Sequence, residues 1–399
     1  MGVVRWDVIL GAMASMVGET VVAFGRLLRF APTGLAALLR FALRFRPRHR
    51  RAFREALGAL SGGVPSEHGE PFEQIHPNVL EIRRDYLREL GLPEQQPSPL
   101  TVIHLNGTGE PLHAILPGLQ TVFSLQPQLA AHRHLLIDVP DAVNAFDGAE
   151  EFRNALRDIL APVLEGTHGG LLLIGLSRGG VAAMDLGATW VRTSRRAVGV
   201  LALSPPLIGD YERPQTVRDI ACLEPMMAQL AQLAKVLPRW LLRGQDWLLR
   251  RSYLALTSFT LAEFEMDSVP VLRWAAWDLR HQDPIGSILR ANREFAMLLR
   301  VSDRVLHDGC DHVARTAASH DGLSVYMLWG ERDKWVPADR CAERARASFA
   351  AADVPAERVK VDVLPGWGHA LSRQHAPDST QLAECVAQLA ARVATLEDR

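Results

Sequence analysis

A serine between glycines, in "LLLIGLSRGG" at residues 171–180, is the side chain of this sequence whose setting first suggests covalent chemistry. Gly175 and Gly179 flank Ser177 at the spacing of a sharp strand-to-helix turn, in which the backbone is strained and the hydroxyl is presented at the end of the strand. Glycines are needed in such a turn because strand and helix approach too closely for larger side chains. The same pattern also suits an ordinary turn, so distant residues must decide between the two interpretations.

A nucleophilic serine needs a base, and the base needs a carboxylate that orients it. Two later segments supply both groups. "VYMLWGERDKWVP" is an apolar strand pattern that ends in a loop with Asp333, and "VKVDVLPGWGHAL" is another that ends in a glycine-rich loop with His369. The sequence therefore predicts a catalytic triad of Ser177, Asp333 and His369, in the order nucleophile, acid, base.

In these motifs and in their order the sequence resembles the α/β-hydrolase family. The acid of that family lies in a GxxDxxVP loop, which "GERDKWVP" matches at Gly330, Asp333, Val336 and Pro337, and the histidine of the family just precedes the final helix. The resemblance covers residues 100–399. It implies an α/β fold with a mostly parallel central sheet, flanking helices and an inserted helical cap.

Two backbone N–H groups are expected to bind the oxyanion. The family often has His-Gly-x after an early strand, where this sequence has Asn106-Gly107-Thr108, so the resemblance implies the Thr108 N–H as one donor. The Arg178 N–H, at the start of the helix after Ser177, is the expected second donor. A simple turn is the alternative interpretation of "NGTG". The Arg178 side chain either approaches the cleft, where it would favour a substrate carboxylate, or points to solvent.

Other polar residues compete for these roles. Asp210 occupies the acid position of some relatives, but the fuller motif favours Asp333. The segment "LHDGCDHVAR" has side chains that often bind metals: His307, Asp308, Cys310, Asp311 and His312. Their spacing is not that of recurrent zinc sites, so we interpret the segment as a polar loop of the cap and His320 as a loop residue. Because no P-loop or GxGxxG follows a strand, we expect neither a metal nor any other cofactor.

The elements that must position these residues alternate between strand and helix from residue 100 onward, which predicts a parallel sheet covered on both faces. Helical sequence with four tryptophans interrupts the alternation. We therefore predict a helical, Arg-rich extension at residues 1–99, a core at 100–207 and 321–399, and a helical cap at 208–320. Within the extension, "NVLEIRRDYLREL" predicts an amphipathic helix, and the strand pair that usually precedes the oxyanion strand is not recognisable.

Residues 1–60 contain ten arginines and three acidic residues, which leaves a net charge of about -8 on the rest of a chain whose formal charge is -1. Charged residues interrupt the apolar stretches too often for a membrane span, and no convincing signal peptide is present. The pattern predicts an amphipathic helical pair that either packs on its own protein or lies on an anionic membrane surface. Four widely spaced cysteines favour free thiols and a cytoplasmic location.

These features predict a serine hydrolase that cleaves an ester, thioester or lactone of a hydrophobic substrate through an acyl-enzyme. Trp329, Trp335 and Trp367 lie in the motifs around the acid and base, where they either belong to the core or line an apolar pocket for an acyl chain. An acyltransferase with the same triad is the first alternative, and a non-catalytic binding protein with the same fold is the second. The near-neutral charge gives no footprint for nucleic acid, and the oligomeric state is left open.

Overall fold

The apolar runs form strands of one twisted sheet in a computed structural model. It describes residues 69–89, 100–108, 110, 112–138, 149–165, 169–194, 196–236, 269–281, 284–301, 303–369 and 379–397, with individual helical residues at 25–57 and 250–257. The described strands are β1 (Phe72–His76), β2 (Val79–Ile82), β3 (Thr101–Leu105), β4 (Arg133–Ile137), β5 (Leu171–Leu176), β6 (Val198–Leu203), β7 (Leu323–Gly330) and β8 (Val359–Leu364). Their order is β1-β2-β4-β3-β5-β6-β7-β8, antiparallel from β1 to β4 and parallel from β4 to β8.

Helices cover both faces of the sheet. The helices bounded within the described residues are α1 (Arg84–Glu89), α2 (Leu116–Leu125), α3 (Ala149–Leu164), α4 (Arg178–Ser194), α5 (Gln215–Val236), α6 (Val269–His281), α7 (Pro284–Leu298), α8 (Asp303–Ser319), α9 (Ala338–Ala351) and α10 (Thr380–Glu397). Buried residues of α1, α2 and α10 form one apolar cluster, and those of α3, α4, α8 and α9 belong to a second, larger one. We call α5, α6 and α7, which are inserted between β6 and α8, the cap helices.

Strand β5 shows why the strands of this sheet appear in the sequence as unbroken apolar runs. Leu171 and Leu173 belong to one apolar cluster, whereas Leu172 and Ile174 belong to the other. Successive side chains of a strand point to opposite faces, so a strand that is covered on both faces must be apolar at every position. The prediction of a mostly parallel sheet flanked by helices is confirmed.

The predicted helical extension up to residue 99 is wrong in its last part. Residues 72–76 and 79–82 form β1 and β2, and β2 pairs with β4, so this region supplies the antiparallel strand pair that the sequence did not reveal. Of the predicted helix at residues 78–90, α1 retains six residues. The pattern "NVLEIRRDYL" is too short to separate a period of 2 from one of 3.6, and pairing with β4 decides the first part in favour of a strand.

The segment "LHDGCDHVAR" was predicted to be a polar loop of the cap, and this prediction is wrong. The segment lies inside helix α8. Leu306, Cys310, Val313 and Ala317 are buried on this helix, at spacings of three and four residues. Helix α8 packs against α4, α9 and β7, which places it on the sheet. The insertion therefore ends before α8 rather than at residue 320.

Near the N-terminus, the described residues 25–40 are helical, as predicted, and one side of this segment is held against the cap helix α5. Arg40 Nε lies 2.7 Å from Oδ1 of Asp219, a carboxylate with no exposed surface. Leu28 and Leu39, three helical turns apart, are 60% and 61% exposed. None of the helices that the structure describes combines the length and apolar character needed to cross a bilayer.

Candidate active site

Ser177 lies between the last residue of β5 and the first residue of α4. Its φ angle is +53°, in the left-handed region that residues other than glycine rarely occupy. Its N–H donates a 2.7 Å hydrogen bond to the Leu203 carbonyl at the end of β6, and its carbonyl accepts from the N–H groups of Gly180 and Val181. These bonds hold the strained turn that the sequence predicted for Ser177.

The glycines around Ser177 have a steric cause. A Cβ atom on Gly175 would lie 2.0 Å from the Gly179 carbonyl oxygen, and one on Gly179 would lie 2.2 Å from the Leu105 carbonyl oxygen. Neither position has room for a side chain, because backbone faces backbone. The second contact also brings the start of α4 against the end of β3, beside the loop that holds the predicted oxyanion donor.

Asp333 and His369 form a buried pair. Asp333 Oδ2 lies 2.8 Å from His369 Nδ1, and the two side chains are 0% and 4% exposed. The second carboxylate oxygen accepts hydrogen bonds from the Trp335 and Val336 N–H groups, at 2.8 Å and 2.9 Å, so the carboxylate is fixed in the turn. Donation from Nδ1–H leaves Nε2 of the imidazole as the basic nitrogen. Asp210 is exposed, and the imidazole of His369 pairs with Asp333.

The topology explains why these distant segments meet. Ser177, Asp333 and His369 follow β5, β7 and β8, which are parallel strands and therefore end at the same edge of the sheet. Residues 106–110, which we call the Asn106 loop, follow β3 at that edge.

The Asn106 loop is fastened by Glu110. Glu110 Oε2 accepts a 2.7 Å hydrogen bond from the Gly107 N–H, and Asn106 Nδ2 donates to the Glu110 carbonyl at 3.1 Å. Burial raises the pKa of Glu110, against the opposing effects of the Gly107 N–H and of positive charge on His369. Thr108 is 7% exposed, and within the described residues the N–H groups of Thr108 and Arg178 have no hydrogen-bond acceptor.

The Arg178 side chain is buried, at 2% exposure, and does not extend into solvent. Nη2 lies 3.0 Å from Oε1 of Glu294 on the cap helix α7, and Glu294 is equally buried. The positive charge of Arg178 is therefore balanced by a protein carboxylate. Within the described residues, however, no nitrogen of the Arg178 guanidinium makes a hydrogen bond of acceptable geometry, so its contact with Glu294 is one of charge.

The competing polar residues make local contacts. His307 Nε2 lies 3.7 Å from Asp311 Oδ2 one turn along α8, and Asp311 Oδ1 accepts from the Ser348 hydroxyl at 2.6 Å. His320 lies in the turn between α8 and β7. In the part of the chain that the structure describes, no group of three or more His, Cys, Asp or Glu side chains is arranged to hold a metal ion. The four cysteines are free.

Comparison with protein families gives one match, to the family described as "Alpha/beta hydrolase family", over residues 102–380. The match covers more than half of the chain. The chain belongs to the alpha/beta hydrolase family. No curated protein matches its sequence.

Solved structures of other hydrolases are among the proteins that are similar to this chain. A thermophilic esterase from Thermogutta terrifontis is 16% identical, over 75% of this chain and 93% of that chain, with a TM-score of 0.41. An enol-lactonase from Burkholderia xenovorans is 14% identical, over 80% and 100%, with a TM-score of 0.41. A peroxisomal alpha-beta-hydrolase from Saccharomyces cerevisiae is 12% identical, over 79% and 81%, with a TM-score of 0.45.

Tryptophans of this hydrolase divide between the core and the surroundings of His369. Trp329 is fully buried, and its Nε1 donates to the Pro205 carbonyl at 3.0 Å, which identifies it as a core residue. The Trp335 ring lies 6.2 Å from the His369 ring and 6.1 Å from the ring of Phe295 on α7, between centroids. Trp335 therefore places apolar surface between the imidazole and the cap.

Two acidic residues near Ser177 were not predicted from the sequence. Glu110 directly follows the "NGTG" motif, and its position next to a predicted oxyanion donor could have identified it as a residue of the site. Glu294 lies in an ordinary helical segment, 116 positions after its partner Arg178 in the numbering, and nothing in its local pattern points to the active site.

Proposed function

We propose that this alpha/beta hydrolase cleaves carboxylic esters, thioesters or lactones of hydrophobic substrates through an acyl-enzyme on Ser177. The observation that supports this most is the buried hydrogen bond of 2.8 Å between Asp333 and His369, at the sheet edge where Ser177 has a φ of +53°. A buried carboxylate on Nδ1 is the arrangement that prepares Nε2 of an imidazole to accept a hydroxyl proton.

In the proposed mechanism, His369 Nε2 takes the proton of the Ser177 hydroxyl as Oγ attacks the substrate carbonyl. The N–H groups of Thr108 and Arg178 donate to the resulting oxyanion, and the positive end of α4 adds to its stabilisation. His369 then gives its proton to the leaving group, which departs as an alcohol or thiol. Water, deprotonated by the same imidazole, releases the acid and restores Ser177.

A hydrophobic acyl group is the substrate feature that the surroundings favour. Trp335 lies between His369 and Phe295 of the cap helix α7, and both aromatic residues are almost fully buried. Aromatic rings at this position provide apolar contact area for a chain or ring next to the scissile bond. We expect kcat/KM for nitrophenyl esters to rise from acetyl to octanoyl, and a preference for acetyl would contradict this substrate class.

Labelling with a fluorophosphonate probe tests the proposed nucleophile. The wild-type protein should be labelled on Ser177, and both Ser177→Ala and His369→Ala should lose the label. Ser204→Ala is the matched control, because Ser204 directly follows the neighbouring strand β6 and also has a positive φ, of +46°, but its side chain is fully buried. Failure of the wild-type protein to react would exclude both the hydrolase and the acyltransferase with this triad.

The acyltransferase uses the same first half-reaction and differs in the acceptor. Its test is the partition of the acyl group between water and an added alcohol or amine. We expect the free acid as the main product, since the proposed hydrolase releases its acyl group to water. Transfer that dominates at millimolar acceptor would favour the acyltransferase instead.

For location, we propose that the N-terminal segment contacts an anionic membrane surface. Leu28 and Leu39 are exposed on one side of this segment, whose other side is held to α5 through Arg40. Arg26 and Arg29 are exposed next to Leu28, and residues 1–60 contain ten arginines but only three acidic residues. Exposed leucines beside arginines are typical of helices that lie in the headgroup region.

A further inference from the structure

Helix α7 of the cap reaches the turn that follows Ser177. Glu294 Oε1 lies 3.0 Å from Arg178 Nη2, and both side chains are 2% exposed. Arg290, one helical turn before Glu294, places its Nε 3.2 Å from the same Oε1. The carboxylate of Glu294 therefore lies between two guanidinium groups, one from α4 and one from its own helix.

The same Arg290 reaches the opposite side of the site. Its Nη1 and Nη2 donate to Oδ2 and Oδ1 of Asp138, at 2.5 Å and 2.6 Å. Asp138 directly follows β4, and its Oδ1 also accepts from Asn106 Nδ2 at 3.3 Å. A continuous series of polar contacts thus runs from Arg178, beside the nucleophile, through Glu294 and Arg290 of the cap, to the first residue of the Asn106 loop.

The series is electrically neutral, with two guanidinium groups and two carboxylates. Burial lowers the pKa of Arg290, but hydrogen bonds and charges from Asp138 and Glu294 outweigh it and raise the pKa above its ordinary value. Paired guanidinium and carboxylate groups with two parallel hydrogen bonds have a fixed geometry as well as an attraction. Arg290 and Asp138 form such a pair, which fixes α7 relative to the end of β4, whereas Arg178 is attracted to Glu294 by charge at 3.0 Å.

The two segments at the ends of this series carry the N–H groups that the proposed mechanism uses. Thr108 is two residues after Asn106, and the second donor is the backbone N–H of Arg178 itself. Donors that stabilise an oxyanion must lie within a few tenths of an ångström of their working distance, and a displacement of 1 Å can lower the rate about 100-fold. The separation of the Asn106 loop from α4 therefore matters for the rate.

We propose that Arg290 and Glu294 of the cap are positioning residues that hold the Asn106 loop and the start of α4 at the separation required to bind the oxyanion. The role rests on the proposed function, since it presupposes an oxyanion at Ser177. It gives the cap helix α7 a part in the chemical step besides its contact with the substrate. Loss of the series should lower kcat while KM changes little, because the oxyanion forms only in the transition state.

Arg290→Met tests this role with little risk to the fold. Arg178 keeps its partner Glu294 in this variant, and Asp138, whose side chain is 31% exposed, can be solvated. Arg293→Met is the matched control: Arg293 is on the same helix, with Nε 4.0 Å from Glu224 Oε1 of α5, and it is outside the series. Rates should be expressed per serine labelled at the end point of fluorophosphonate titration, so that unfolded protein does not count.

We expect kcat of Arg290→Met to fall by roughly 10-fold to 100-fold, with KM within threefold of wild type. The rate of fluorophosphonate labelling should fall by a similar factor, because the phosphoryl oxygen uses the same donors. Arg290→Lys, which keeps the charge but not the paired geometry, should recover part of the loss, and Arg293→Met should match wild type.

A kcat of Arg290→Met within twofold of wild type would overturn the inference, and so would an effect on KM alone or an equal loss in Arg293→Met. Any of these results would leave the proposed function intact, provided that the wild-type protein is labelled and turns over an ester. Failure of the wild type itself would instead refute the proposed function.

Discussion

Acidification should destabilise the folded protein through a pair of buried histidines in the adjacent strands β3 and β4. His104 Nε2 lies 3.1 Å from His134 Nδ1, and His134 Nε2 lies 2.8 Å from the Leu129 carbonyl oxygen. Since the carbonyl can only accept, His134 Nε2 carries a proton and its Nδ1 accepts from His104. A second proton on His134 Nδ1 would face the N–H of His104, and a second proton on His104 Nδ1 would be buried with no acceptor among the described residues. Both residues are less than 5% exposed.

Burial lowers the pKa of His134 to about 4, and burial together with charge on His134 lowers the pKa of His104 well below its usual value. An unfolded histidine has a pKa of about 6.5. As the pH falls below 6.5, the unfolded state binds protons first, so the free energy of unfolding decreases until the folded pKa is reached. For His134 alone, the loss between pH 7 and pH 5 is about 2 kcal/mol.

Urea unfolding of wild type and His134→Gln at both pH values measures this loss. Glutamine can still donate to the Leu129 carbonyl but does not titrate. The decrease in unfolding free energy from pH 7 to pH 5 should be about 2 kcal/mol smaller in the variant. His320→Gln, in a turn outside the cluster, controls for the loss of one histidine. Equal pH dependence of wild type and His134→Gln would refute the reasoning.

Three further results are expected. Gly179→Ala should lower the free energy of unfolding by more than about 3 kcal/mol and abolish most of the activity, because the new Cβ would lie 2.2 Å from a backbone oxygen. The control is Gly309→Ala in α8, where a Cβ would meet nothing within 4 Å. Urea unfolding should show this control to be neutral or stabilising. Glu110→Ala removes the acceptor of the Gly107 N–H hydrogen bond, so the Asn106 loop should be held less firmly and kcat/KM should fall roughly 10-fold; an unchanged kcat/KM would contradict the part of Glu110 in fastening this loop. In flotation with anionic vesicles, the intact chain should rise and the chain without residues 1–60 should not, and equal behaviour would remove the proposed membrane contact.

Residues with a strong local signature could be located from the sequence. Ser177 was predicted from the glycines that its turn requires, and the structure gives those glycines their steric cause. Asp333 and His369 were predicted from loops after apolar strands, and the structure joins them by a hydrogen bond. The catalytic roles of these residues and of the Thr108 and Arg178 N–H groups remain predictions.

Features that depend on tertiary partners could not be predicted. Strand β2 was mistaken for a helix because its pairing with β4, more than 50 residues later, outweighs its local pattern. The opposite error occurred at α8, where the polar face dominated the interpretation and the buried face of Leu306 and Cys310 was overlooked. Contacts of Arg290 with Asp138 join residues 152 positions apart, and neither residue lies in a motif.

The central claim is that Ser177 carries the acyl group during turnover. Peptide mass analysis of protein quenched during turnover tests this claim most directly. Wild-type protein is mixed with a nitrophenyl octanoate, quenched in acid within milliseconds, and digested for peptide mass analysis. We predict an octanoyl group on the peptide with Ser177, a matching burst of nitrophenol, and neither signal in Ser177→Ala. Steady hydrolysis with no acylated peptide, or hydrolysis that persists in Ser177→Ala, would contradict the account.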